Sequence, residues 1–343
     1  MKASRETLTP QMDRYADFVD RAETRWLPYL MYFHRTDYRS DVVNTDRFGF
    51  RLSYGPDGMA GSVEAPPAGP LRLLVGSSTA FGVGTTNDRA TIASRLWTRY
   101  APSGAWLNFG GRGYCSTQET LLFLLHRHLL PPVEEVVILS GLNNLALAGL
   151  PRSSQSEFGA FFFSGEYYQQ MNELRKRHRR TTRSKWPGWR RRQPHTDPEP
   201  DTTLPDLADR ISTAVERTIR DIERWRLLAS ATGARITFVL QPLATWVRTN
   251  PETREALLFA ELDRHPSNFW KLFGAIAPME VGRRYAAELG AWCQSRDVPF
   301  LDLNVKLAEV ARDDRWLFVD RAHFNDDGYD LVSSLLAGGL DLK

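Results

Sequence analysis

The sequence predicts an α/β protein built on a doubly wound parallel sheet of about five strands. Three observations predict it: short apolar runs without polar alternation, helix-length amphipathic stretches between them, and turns rich in glycine or asparagine after three of the runs. Runs that do not alternate are strands buried on both faces, which is what helices packed on each side of a parallel sheet produce.

The elements follow in order. "LRLLVG" (70–76) is the first strand, and residues 89–101 form a helix. "AWLNFG" (105–110) is the second strand, followed by a helix over 116–130. "EVVILSG" (135–141) is the third. Helices over 205–232 and 276–295 bracket a fourth strand, "ARITFVLQP" (234–242), and "VPFLDL" (298–303) is the fifth. An amphipathic helix, "DDGYDLVSSLLAGGL", ends the chain's periodic part.

Two interruptions, 145–204 and 243–275, follow the third and fourth strands. They emerge at the carboxyl edge of the sheet, where ligand sites of open α/β folds form, so both are expected to act as lids. Their aromatics, "FGAFFFSGEYYQQM" and "SNFWKLFG", are candidates for an apolar pocket or for plain packing. Residues 1–69 form an arm separated by two Pro-Gly clusters, "GPDGMAG" and "APPAGP". Its first part reads as a helix over 10–30, with Tyr15, Phe18, Val19, Ala22 and Trp26 at helical spacing, and "VVNTDRFGFR" reads as a short strand.

Composition narrows the class. With 343 residues, 42% hydrophobic, the chain can bury a large core. No apolar run is long enough for a membrane span, and the N-terminus lacks the apolar core of a secretory signal, so a soluble, cytoplasmic protein is expected. Two cysteines, Cys115 and Cys293, make neither a disulfide framework nor a metal site. No cofactor is called for. The net charge of +3 conceals one basic segment: residues 175–192 hold ten Lys or Arg and no acid, leaving 34 basic against 41 acidic residues elsewhere, or −7. Prolines follow at once, so a mobile loop is the default reading; an anionic ligand or carrier is the alternative, and nucleic acid ranks below both.

The chemistry concentrates at the strand ends. "GSSTAFGVG" after the first strand has neither a G-x-G-x-x-G nor a P-loop pattern, and no lysine is near, which argues against phosphate. A serine on a tight strand-to-helix turn is the other use of this position, because the turn aims its hydroxyl at the cleft. A base is then required, and "FVDRAHFNDDGY" places Asp320 three residues before His323, where a carboxylate can orient the ring. Gly110, Gly111 and Gly113 after the second strand could each bring an N–H to a substrate oxygen. Asn143 and Asn144 after the third could donate from a side-chain amide.

Four blocks, "GSSTAFG", "NFGGRG", "GLNN" and "DRAH", appear in this order, and with them the chain resembles the SGNH or GDSL hydrolases over roughly residues 70–335. The resemblance implies a flavodoxin-like sheet and activity as an esterase, deacetylase or related acyl hydrolase. It implies Ser78 as nucleophile, His323 as general base and Asp320 as its partner. The oxyanion hole would be the N–H groups of Ser78 and Gly113 and the side chain of Asn143. Ser77 and Asn144 stand where the family usually carries aspartates, and "NTDRFGFR" and "VLQP" look like those of a bacterial branch with an N-terminal extension. The leading expectation is hydrolysis of an acyl ester, such as acetyl on a carbohydrate or metabolite hydroxyl. Transfer of the acyl group to an acceptor other than water is the alternative, and a non-catalytic binding protein on the same scaffold ranks third.

Overall fold

The computed structural model describes residues 4–19, 24–182, 201–266, 268–312 and 314–342. Its centre is a five-stranded parallel sheet: β1 Leu71–Gly76, β2 Ala105–Gly110, β3 Val133–Ser140, β4 Arg235–Leu240 and β5 Phe300–Asp302. The spatial order is 2-1-3-4-5, the flavodoxin-like order the sequence predicts. Every residue of β1 is buried, Arg72 included, as befits an inner strand covered on both faces. In register, Gly76 stands beside Gly110 and Leu139, and Ser140 beside Leu240. The turns after β1, β2, β3 and β4 therefore leave from one edge.

Helices cover both faces. On one side lie α2 Ser116–His126, α5 Leu207–Thr232 and α7 Met279–Ser295, whose Phe123, Trp225 and Leu289 share a core with Leu73, Val136 and Phe238. On the other, α8 Asp326–Gly339 packs Tyr329, Val332 and Leu336 against Leu74, Val137 and Val239. No helix among the described residues is long and apolar enough to cross a membrane.

Three expectations need correction. Residues 10–30 are not one helix: a helix covers Met12–Phe18, and Arg25–Leu27 then pairs antiparallel with Met31–Phe33. Pro28, which has no N–H for a helical bond, sits in the turn of this hairpin with Tyr29 at φ 70°. Trp26 is thus a strand residue, and Ala22 lies outside the described residues. The basic segment is not a loop throughout, because residues 175–182 continue α4, Ser164–Thr182, where Gln, Met, Glu, Leu and Lys favour helix; residues 183–192 lie outside the described residues. "VVNTDRFGFR" forms only an isolated bridge between Thr45 and Arg51.

The arm shares the core. Leu30, Tyr32, Phe33, Phe50 and Val63 belong to the same apolar cluster as Leu71 and Leu73. Arg51 lies deeper still, fully buried, and its guanidinium donates to Asp88 Oδ1 (2.7 Å), Val42 O (2.8 Å), Gly82 O (2.9 Å) and Phe81 O (3.1 Å). The last two carbonyls end the short helix that begins at Ser78, so a residue of the arm fixes the far end of the serine turn.

Candidate active site

The serine turn has one permitted sequence at its pivot. Gly76 has φ 155°, and a Cβ there would lie 2.1 Å from Leu139 O on the neighbouring strand. Only glycine allows that approach. Ser78 then opens the four-residue helix Ser78–Phe81, half-buried, with its N–H in the first turn where no helical partner exists. Ser77, in the place where an aspartate is usual for the resembled family, donates from Oγ to Gln241 Oε1 at 2.8 Å and is buried. Gln241 belongs to the "VLQP" block directly after β4, and its N–H is held by Ser140 O. Sequence reading noticed that block without assigning it a role.

The "DRAH" segment is a four-residue turn closed by a β-bridge between Phe318 and Phe324, whose rings pack 4.5 Å apart in the core. Within it Asp320 Oδ1 accepts the N–H groups of Ala322 (2.8 Å) and His323 (2.9 Å). Such a turn holds carboxylate and imidazole on one side. His323 Nδ1 lies 2.9 and 2.8 Å from the two Asp320 oxygens, and its Nε2 lies 2.7 Å from Ser78 Oγ. Burial opposes ionisation of Asp320, but the facing His323 ring and the two N–H groups outweigh it and hold the carboxyl below its ordinary range. An ionised Asp320 fixes the proton of the ring on Nδ1, leaving Nε2 to accept from the serine hydroxyl. Thr79 ties the two turns together by donating to Ala322 O at 3.2 Å.

The three glycines after β2 differ in what their N–H groups do. Gly110 donates to Asn108 Oδ1 (3.0 Å) and Gly111 to Gly76 O (2.9 Å), so both are occupied. Gly113, at φ 69°, has no acceptor for its N–H among the described residues, while its carbonyl accepts from Tyr32 Oη at 2.8 Å. Asn143 stands in the first turn of α3, Leu142–Leu147, and donates through Nδ2 to Tyr114 O at 2.8 Å. That bond uses one of two amide hydrogens. Asn144 faces away: it bonds Ser116 N and Oγ and Thr218 Oγ1, a buried network without access to the serine.

Ser78, Asn143, Gln241, Asp320 and His323 line one cavity of about 340 Å³, and Leu142, Leu262, Phe269 and Phe273 give it an apolar side. Gly113 is not in its lining. The second interruption therefore contributes to this cavity, through Leu262, Phe269 and Phe273. The aromatics of the first do not: Phe163 borders a cavity of about 170 Å³ with Trp26 and Arg112, and Phe158, Phe161 and Tyr168 border another of about 510 Å³. Among the described residues no group of three or more His, Cys, Asp or Glu is placed to hold a metal ion.

No family model matches the chain, and no curated protein sequence matches it. Solved structures similar to it include a member of the lipolytic G-D-S-L family from Veillonella parvula, with 11% identity, TM-score 0.43, and 79% of this chain and 97% of that one covered. An acetyl xylan esterase matches at 11% identity and TM-score 0.41, covering 79% and 99%. The aryl esterase of M. smegmatis matches at 14% identity and TM-score 0.39, covering 80% and 100%. These neighbours are thus a lipolytic G-D-S-L protein and two esterases, each similar to this chain at low identity. The helix-covered parallel sheet in order 2-1-3-4-5 is the flavodoxin-like arrangement expected from the sequence.

Proposed function

We propose that the protein is a serine hydrolase that cleaves an acyl ester through an acyl-enzyme on Ser78. The observation that carries this reading is the continuous relay Ser78 Oγ, His323 Nε2, His323 Nδ1 and Asp320, with each link at 2.7 to 2.9 Å. In the first half-reaction His323 Nε2 takes the hydroxyl proton as Oγ attacks the ester carbonyl carbon, and the same proton passes to the departing alkoxide. In the second, water gives its proton to Nε2 and attacks the acyl carbon; His323 then returns a proton to Ser78 Oγ, releasing the carboxylic acid. The negative charge that develops on the carbonyl oxygen is met by the Ser78 N–H and the second Nδ2 hydrogen of Asn143; the Gly113 N–H, the third donor the resemblance implies, lies outside the lining of this cavity and is given no part in the step. The cavity volume suits a compact ester, such as an acetyl ester of a carbohydrate or metabolite hydroxyl.

Steady-state turnover of 4-nitrophenyl acetate tests the reading. Hydrolysis that Ser78→Ala and His323→Ala each reduce by about 10³-fold or more is the expected result; unchanged turnover in either variant contradicts it.

A further inference from the structure

One of the two residues between the proposed base's partner and the base itself is Arg321, and its side chain turns toward the second interruption. Its guanidinium makes a two-bond fork to Asp263, Nη1 to Oδ1 at 2.6 Å and Nη2 to Oδ2 at 2.8 Å, with 9% of the side chain exposed. The same planar group lies over the rings of Phe259 (4.7 Å), Trp270 (4.8 Å) and Phe269 (5.1 Å). Its carbonyl accepts the Ala244 N–H at 2.8 Å, where that interruption begins. Phe269 stacks on Phe273 at 5.1 Å, and these two rings line the Ser78 cavity.

A second arginine grips the same segment. Arg210 of α5 is buried and donates to Leu145 O (2.7 Å), Ala146 O (3.0 Å) and Leu272 O (3.0 Å). It therefore caps α3, which carries Asn143, and holds residue 272 in place. Both ends of the aromatic segment are thus tied to elements that carry proposed site residues. A fork-shaped cation over aromatic faces is a rigid joint, since it needs two parallel hydrogen bonds and a fixed plane at once.

We infer that Arg321 is a positioning residue that seats residues 268–273 as a fixed apolar wall of the Ser78 cavity and so sets which apolar group of an ester the cavity accepts. The inference rests on the ester-hydrolase reading for its substrate and on the Arg321–Asp263 geometry for its mechanism. The wall is standing before substrate arrives, so it selects by fit instead of by closing.

Two measurements test it on the full chain, with Arg321→Ala, Arg321→Lys and, from the other side of the joint, Asp263→Asn. Hydrogen–deuterium exchange of peptides covering residues 268–273 is expected to accelerate about tenfold in Arg321→Ala, less in Arg321→Lys, with the core strands unchanged. The ratio of kcat/KM for 4-nitrophenyl butyrate to that for the acetate is expected to fall about tenfold in Arg321→Ala and Asp263→Asn, the worth of two methylenes against a lost wall. This ratio is independent of the folded fraction, so general destabilisation does not move it. An unchanged ratio overturns the selective role even where exchange accelerates, and unchanged exchange overturns the joint. Wild-type protein that hydrolyses neither ester contradicts the hydrolase reading, while the exchange measurement still decides the joint.

Discussion

Replacing Arg51 by methionine keeps the volume of the side chain and removes a cation that is 1% exposed. Six groups lose a donor: Asp88 Oδ1, Tyr15 Oη, Phe81 O, Gly82 O, Val42 O and Thr85 Oγ1. Several keep another partner. Asp88 still accepts from Asn44 N and Nδ2, Gly82 O from Tyr15 Oη, and Phe81 O from Asn108 Nδ2. Only Val42 O is left bare, and Asp88 loses its counter-charge. Breaking a buried ion pair from one side costs about 3–5 kcal/mol, and the retained bonds place this case near the lower end. Against a total stability of about 5–15 kcal/mol this is a large fraction. Urea unfolding should show the midpoint falling at unchanged slope, equivalent to about 3 kcal/mol. Because two of the carbonyls that lose the Arg51 donor, Phe81 O and Gly82 O, end the Ser78 helix, the reactivity of Ser78 per folded molecule should also drop. A loss under about 1 kcal/mol refutes the argument that this cation is integral to the core.

The other predictions are more local. Asp320→Asn keeps an oxygen for the Ala322 and His323 N–H groups but no longer fixes the ring proton on Nδ1; kcat for ester hydrolysis should fall about 10³–10⁴-fold, with the circular-dichroism melting curve little changed. Burial pushes the Glu119 carboxyl up to about 8, the hydrogen bond from Ser140 opposing and the Asp221 charge adding to it. Its folded value lies above the unfolded value of about 4.3, so the native state holds a proton that the unfolded chain has released; this group's contribution to stability falls between about pH 4.3 and 8, by up to about 1.4 kcal/mol per unit. Glu119→Gln should remove that slope in urea titrations at pH 5, 6, 7 and 8, and an unchanged slope contradicts it. Gly76→Ala should yield no folded protein on size-exclusion chromatography, given the 2.1 Å approach of its Cβ to Leu139 O. Ser77→Ala should cost about 1–3 kcal/mol by leaving buried Gln241 Oε1 unpaired, read from the urea midpoint.

The strands of the sheet were legible because burial on both faces writes itself as a mostly apolar run: β1, β2, β4 and β5 fall within the predicted runs, and β3 begins at Val133, two residues before its run. Three of the four chemical blocks were legible because each sits within a few residues of a strand end, and parallel register brings those ends to one edge; the fourth, "DRAH", lies well beyond the end of β5 and was legible only through its Asp-x-x-His spacing. What escaped is what depends on distant pairing. Gln241 meets Ser77 across 164 positions, and nothing local marks it beyond its place after β4. Arg51 looked like one more charge in "NTDRFGFR", because a buried guanidinium is recognised only by the carbonyls that surround it. Arg321 lay inside the "DRAH" block in plain view, yet its partner Asp263 is 58 positions away. The strand over residues 25–27 was misread because five apolar positions at helical spacing carried the helix on past the point where it ends, at Phe18.

The most direct measurement of the central claim is active-site labelling with a fluorophosphonate probe, the adduct mapped by mass spectrometry. A proton-accepting His323 makes Ser78 nucleophilic, and the phosphonylated enzyme resembles the tetrahedral intermediate that the proposed oxyanion donors stabilise. The account predicts a single adduct on Ser78 that disappears in His323→Ala and is strongly reduced in Asp320→Asn. Absence of an adduct, or labelling of Ser78 that persists undiminished in His323→Ala, contradicts it.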